Sequence, residues 1–184
     1  LATANAIRYT GADVIFCDVD PDTGLMTSEL LEKAMGENKD KRIQAVFPVH
    51  LAGQPADPIG IAKIARQKRI AVVEDACHAL GSYYPDENGA EMVPVGAGAH
   101  GDMAVFSFHP VKIIACGEGG AVTTNEREID ARVSAFMDVG RLPRGERWAY
   151  SRLGWNHRPS EYLAALLLVR LEDLEQQTQH RERM

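Results

Sequence analysis

The sequence lacks the marks of most specialised surfaces. Lysine and arginine number 20 against 26 aspartates and glutamates, a formal charge of −6. That balance leaves no basic footprint for nucleic acid. The three cysteines, Cys17, Cys77 and Cys116, are odd in number and form no CxxC pair. They support neither a metal site nor a disulfide framework, and they fit a reducing cytoplasm. No apolar run approaches the roughly 18 residues that a membrane span needs. No charged segment followed by an apolar one opens the chain, so no signal peptide is read. Internal repeats and low-complexity stretches are also missing. What remains is ordinary globular composition, 45% hydrophobic and 25% charged, over 184 residues, enough for one domain.

The apolar residues fall into strand-like and helix-like segments in turn. Residues 2–10 predict a short helix closing at Gly11. ADVIFCDVD, residues 12–20, is rich in β-branched residues and ends in acids, which predicts a buried strand. Thr27 or Ser28 caps a helix with Leu30, Leu31 and Ala34 inward. RIQAVFPVH, 42–50, predicts the next strand. LAGQPADP reads as a loop, with Asp57 capping a helix over 58–69. IAVVEDA (70–76), MAVFSF (103–108) and GAVTTN (120–125) predict three more strands. Residues 126–140 predict a helix closed by Gly140, 141–159 a loop, and 160–184 one long amphipathic helix. Its stripe of Tyr162, Leu163, Leu166 and Leu167 reads as core. Strands alternating with such helices imply an α/β fold with a mostly parallel sheet. No helix separates MAVFSF from GAVTTN, which leaves an antiparallel pair open there.

In open α/β sheets, ligands gather beyond the carboxyl ends of the strands. Asp18 and Asp20 lie beside Pro21, Asp22 and Gly24 and read as a solvated turn. His50, followed by Gly53 and Gln54, reads either as a satisfied histidine at a loop base or as a site residue. Glu74 and Asp75 point to opposite sides of their strand, so one can face a ligand while the other faces away. The other reading makes them capping acids of a helix. His78 returns to the same side if a helical turn begins there. Ser107 and Lys112 bracket the end of the FSFHPVK segment. A lysine in such a stretch either snorkels to water or is used as a nucleophile toward a carbonyl. Gly117, Gly119 and Gly120 would let the backbone pass close to a flat ligand. Spacing alone leaves both readings of Lys112 open.

Seven segments taken together narrow the choice. ATANAI, GADVIFCDVDPDTG, AVFPVHLAGQPAD, VVEDACHALGSYY, GDMAVFSFHPVK, GEGGAVTTN and LGWNHRPSEYLAAL follow one another over nearly the whole chain. In that order they resemble the pyridoxal-phosphate-dependent nucleotide-sugar aminotransferases, the DegT/DnrJ/EryC/StrS group of fold type I. The resemblance implies a three-layer α/β domain with a mostly parallel sheet. It implies that Lys112 holds pyridoxal 5′-phosphate as a Schiff base and later shuttles the proton. Asp75 would pair with the protonated pyridine nitrogen, and His78 would lie near the phenolic oxygen. Ser107 would contact the phosphate. Asn156 would reach the phosphate from a partner subunit, so a homodimer is expected.

L-glutamate would donate the amino group and a keto-sugar nucleotide would receive it, in cytoplasmic amino-sugar biosynthesis. SFHPVK and HALGSYY are most similar to the branch that aminates the 4-keto carbon of UDP-linked 4-keto-6-deoxy-N-acetylhexosamines. A related branch removes a hydroxyl from its sugar and carries histidine where this chain has Lys112, which favours transamination here. A pyridoxal-phosphate-dependent sugar dehydratase and a non-catalytic paralogue that binds cofactor or sugar nucleotide are the alternatives. The chain opens on Leu1 and stops within a helical charge pattern. The resemblance therefore implies that residues 1–184 are the central part of the large, cofactor-binding domain. The group that stacks on the ring and the phosphate-cradling helix start are expected upstream, and a small domain downstream.

Overall fold

The computed structural model describes residues 1–141 and 149–183. Residues 142–148 of the expected loop, and Met184, lie outside the described residues. The helices are α1 (Ala2–Tyr9), α2 (Ser28–Glu37), α3 (Pro58–Lys68), α4 (Arg127–Met137), α5 (Glu161–Glu172) and α6 (Leu174–Glu182). The strands are β1 (Ala45–Val46), β2 (Ala71–Asp75), β3 (Tyr83–Pro85), β4 (Met92–Pro94), β5 (Met103–Ser107) and β6 (Gly120–Thr123). One sheet has the order β1-β2-β5-β6, and β3 and β4 form a separate hairpin. β1, β2 and β5 run parallel, while β6 pairs antiparallel with β5. This is the α/β fold with a mostly parallel sheet, and the antiparallel pair falls where no helix intervenes.

Local chemistry explains the helix starts. The Thr27 side chain accepts from the Leu30 N–H at 3.3 Å. Asp57 caps α3 through the Gly60 N–H at 3.1 Å, and its other oxygen accepts from the Ser28 N–H at 2.8 Å. One carboxylate thus satisfies orphan donors in the first turns of two helices. Pro58 at the start of α3 has no N–H to leave unpaired.

Strand register decides which side chains face the core. Val46 pairs with Val72, and Glu74 with Ala104, so these residues and Phe106 share one face. Leu31 of α2 and Ile61, Ile64 and Ala65 of α3 close over Val46 and Val72. Ala104 and Phe106 belong to a second cluster with Tyr84, Val95, Phe108, Ile114 and Cys116. Leu163, Leu167 and Leu171 of α5 and Leu174 of α6 pack against it. Burying one such side chain, Ile61 for instance, contributes about 2 kcal/mol. The opposite face carries Asp75, Val105 and Ser107 toward the carboxyl end of the sheet.

Three expectations need correction. Residues 12–20 form no strand: they lie beside the core, with Phe16 81% exposed and Cys17 alone of this stretch packed on the apolar cluster. A β-branched run supplies the capacity to pair, but none of the described strands pairs with it. The 42–50 strand shrinks to Ala45–Val46 and an isolated bridge from Val49 to Asp75. The final helix breaks at Asp173 into α5 and α6, and Leu163 and Leu167 face the core while Tyr162 is 88% exposed and Leu166 is also exposed. The stretch from Tyr83 adds the β3–β4 hairpin, whose prolines sit on strands with free edges.

Candidate active site

β2 ends in the two acids, and alternation separates them. Glu74 turns to the core and is 1% exposed, while Asp75 turns to the other face and is half-buried. Asp75 pairs in register with Val105, two residues before Ser107, so Asp75 and Ser107 stand on the same face of the same sheet end. The backbone after β1 continues alongside. Asp75 donates its N–H to the Pro48 carbonyl at 2.9 Å and accepts from the His50 N–H at 3.0 Å.

Asp75 is held from both carboxylate oxygens. Oδ2 accepts from the Thr3 hydroxyl at 2.6 Å, and Oδ1 accepts from the Cys77 N–H at 3.2 Å. Burial alone would push its carboxyl up. The hydrogen bonds from Thr3 and Cys77 outweigh that and hold it below the usual value. The carboxylate is therefore ionised at neutral pH. The thiol of Cys77 takes the reverse shift. Burial first, then its hydrogen bond to Asp75 and the charge of Asp75, push it up to about 12. The Lys112 ammonium, within electrostatic reach of that thiol, works the other way. At neutral pH Cys77 is a thiol, not a nucleophile.

His78 sits in the turn after β2, closed by Ala79 N–H to Ala76 carbonyl at 2.9 Å and Ser82 N–H to Ala79 carbonyl at 3.0 Å. Its Nδ1 accepts from the Ala52 N–H at 3.3 Å. The neutral ring therefore carries its proton on Nε2. Gly81 ends this turn at φ 85°, and a Cβ there would lie 2.8 Å from the Thr178 hydroxyl of α6. Glycine at 81 lets α6 back the turn that carries His78.

Lys112 lies on an excursion between β5 and β6. Phe108 closes its neck, accepting from the Cys116 N–H at 3.0 Å and donating to the Gly119 carbonyl at 2.8 Å. Ile114 and Cys116 are buried beneath it, and the turn carrying the lysine is set by its N–H to the His109 carbonyl at 2.9 Å. A buried floor thus supports a half-exposed lysine, which has no ion-pair partner among the described residues. The Ser107 Oγ accepts from the His109 N–H at 3.3 Å. Two of the glycines meet demands of the backbone itself. Gly117 adopts φ 101°, and a Cβ on Gly120 would come within 2.8 Å of the Phe106 carbonyl.

Other candidates separate from this group. His50 is fully buried on the core side, its Nδ1 accepting from the Ala56 N–H at 3.1 Å and its Nε2 3.7 Å from Glu74. It sits buried at the loop base with Nδ1 bonded, while Nε2 has no hydrogen-bond partner among the described residues. Asp20 accepts from Asp22, Thr23 and the Thr23 hydroxyl in a solvated turn. Asn156 is exposed, accepts from Arg158 Nε at 3.1 Å and bridges to Asp138. No contact among the described residues joins it to Asp75, His78, Ser107 or Lys112. Thr3 is the residue that sequence reasoning missed. A threonine in the first turn of a short helix carries no local sign that it meets a carboxylate 72 positions away.

An ionised carboxylate, an imidazole N–H, a hydroxyl and an unpaired amine stand at one sheet end. A phosphorylated pyridine aldehyde needs such donors: an acid for its ring nitrogen, hydrogen bonds for its oxygens and an amine for its carbonyl. The residues fit the group. With this fold they define the class of pyridoxal-phosphate-dependent transferases of the mostly parallel α/β type. The chain belongs to the DegT/DnrJ/EryC1/StrS aminotransferase family, which matches residues 1–184. It is 34% identical over all 184 residues to the GDP-perosamine synthase of Caulobacter vibrioides, and covers 46% of that protein. It thus spans about half the length of the curated relatives it matches. A DegT/DnrJ/EryC1/StrS aminotransferase from Brucella abortus superposes with a TM-score of 0.85 at 33% identity, over 99% of this chain and 47% of that one. NtdA from Bacillus subtilis, solved with bound cofactor PMP, superposes at 0.79 and 27% identity, over 94% of this chain and 36% of that one. Pyridoxal phosphate, of which PMP is the amine form, is the cofactor of this family.

Proposed function

We propose that this chain is the central part of the cofactor-binding domain of an aminotransferase that moves an amino group from L-glutamate to a keto-sugar nucleotide. The observation that carries the reading is the β2–β5 register. It sets an ionised Asp75 and Ser107 on one face of one sheet end, with Lys112 on the excursion that follows β5. When bound, pyridoxal phosphate supplies an electron-poor ring that takes up the electrons left behind when a proton leaves a neighbouring carbon.

The residues divide the remaining work. The Lys112 amine is the covalent anchor and, when free, the base that carries the proton. The Asp75 carboxylate keeps the ring nitrogen protonated by charge attraction. His78 donates its Nε2 proton to the phenolic oxygen, and the Ser107 hydroxyl donates to the phosphate. Asn156, exposed and outside this group, acts across a homodimer on the phosphate of the second subunit. Unpaired cysteines suit a cytoplasmic enzyme. The Caulobacter relative's name points to a GDP-linked acceptor and the SFHPVK wording to a UDP-linked one, so the acceptor panel includes both.

Borohydride trapping of the full-length protein tests the reading. Pyridoxal phosphate is added, the imine is reduced, and the adduct is located by mass spectrometry. The expected result is one adduct on Lys112, absent in Lys112→Ala, and 2-oxoglutarate formed from added glutamate. Scattered surface adducts, equal in the variant, would sink the assignment.

A further inference from the structure

We infer that Thr3 is a positioning residue for Asp75, a role that rests on the reading of Asp75 as the partner of the cofactor's ring nitrogen. α1 buries no residue in either apolar cluster, so apolar packing does not explain why Thr3 meets the end of β2. The described polar link is the Thr3 hydroxyl on Asp75 Oδ2 at 2.6 Å. A helical threonine ordinarily bonds back to its own helix. The Thr3 hydroxyl bonds the distant carboxylate instead.

The geometry gives the hydroxyl a defined task. An ionised carboxylate has about four acceptor directions. Thr3 takes one on Oδ2 and the Cys77 N–H takes one on Oδ1. The carboxylate plane is thereby pinned by two donors from different parts of the chain. A direction on each oxygen stays open for a further N–H. Thr3 also favours the ionised form, because a donor to a carboxylate stabilises its charge. Without Thr3 the group keeps only its bonds to Cys77 and is freer to rotate. The titratable groups around it are then His78 from the following turn and Lys112 from beyond β5.

The test uses full-length protein and reads cofactor affinity by equilibrium titration, with a double-mutant cycle. Thr3→Val removes the hydroxyl at nearly constant shape and should weaken pyridoxal phosphate binding about tenfold, as loss of one hydrogen bond to a charged group does. Thr3→Ser should restore it to within about twofold, because the donor returns. In an Asp75→Asn background Thr3→Val should add almost nothing, since its target charge is gone. Melting of the cofactor-free proteins should fall only slightly in Thr3→Val, and a purely structural role would show that fall without the loss of affinity. Wild-type affinity in Thr3→Val, or effects of the two substitutions that simply add, overturns the proposal. If the wild-type protein forms no adduct at Lys112, the underlying functional reading falls as well; if that adduct forms and Thr3→Val binds normally, only the role of Thr3 falls.

Discussion

Glu74 and Asp75 are adjacent carboxylates on one strand, yet they live in different chemistry. Glu74 faces the core, with the Tyr84 hydroxyl at 3.4 Å and His50 Nε2 at 3.7 Å. The second distance is too long for a hydrogen bond, so His50 and Glu74 pack side by side without one. Tyr84 sits edge-on to His100, whose Nε2 lies 2.6 Å from the Pro85 carbonyl. Burial first, then Glu74, push the Tyr84 phenol well above its usual range, so it stays a neutral donor. This polar group joins the two apolar clusters on one sheet face. Asp75 faces outward, and its partners fix its plane and charge while leaving it accessible. A one-residue step along a strand thus separates an acid that holds the fold from one left accessible at the end of the sheet.

The comparison can be broken from either side. The largest effect is expected from Asp75→Asn in the full-length enzyme. It should lower kcat on the order of 100-fold or more by removing a charge aimed at the reacting group, while urea unfolding changes little. Glu74→Ala should do the reverse. It strands the Tyr84 hydroxyl and His50 in the core and should cost about 3 kcal/mol in urea unfolding. Cofactor affinity per folded molecule should stay within about twofold. A Glu74 variant that is stable but binds no cofactor would erase the division of labour.

Acid titration sharpens the contrast further. The carboxyl of Asp75 lies below its ordinary value of 3.8 when folded. A depressed acid stabilises the fold fully above its unfolded value, and the contribution is lost as pH falls through the folded value. The gap in urea midpoint between wild type and Asp75→Asn should therefore be constant near neutrality and shrink only below about pH 4. The smallest effect concerns Cys77. Its thiol should react slowly with iodoacetamide at about pH 8, and faster in Asp75→Asn, where the charge that raises it is gone. Equal rates would show that Asp75 does not act on Cys77.

Much of this arrangement was legible in the residues. The caps at Thr27 and Asp57, the strand IAVVEDA and the antiparallel pair of β5 and β6 follow from turn chemistry, apolar runs and connection length. The opposite facing of Glu74 and Asp75 follows from strand geometry. The failures share a cause. ADVIFCDVD is as strand-like as IAVVEDA, but pairing is a property of neighbours and none of the described strands borders it. Tyr83–Pro85 and Met92–Pro94 hide a hairpin because proline signals breaks, and only the turn built on Asp86, which accepts from Asn88 and Ala90, pairs them. α5 and α6 read as one helix, and the break at Asp173 appears where the chain bends to seat Leu174 against the core.

The sequence by itself determined the element types, the mostly parallel α/β plan and the residues able to carry the chemistry, because these depend on local backbone preference and side-chain type. Only the tertiary structure decided that Thr3 reaches Asp75, that Ala52 sets the proton on His78, and that His50 belongs to the core. Those contacts join positions tens of residues apart, and no periodicity or spacing encodes a distance that arises only when the sheet and its loops come together.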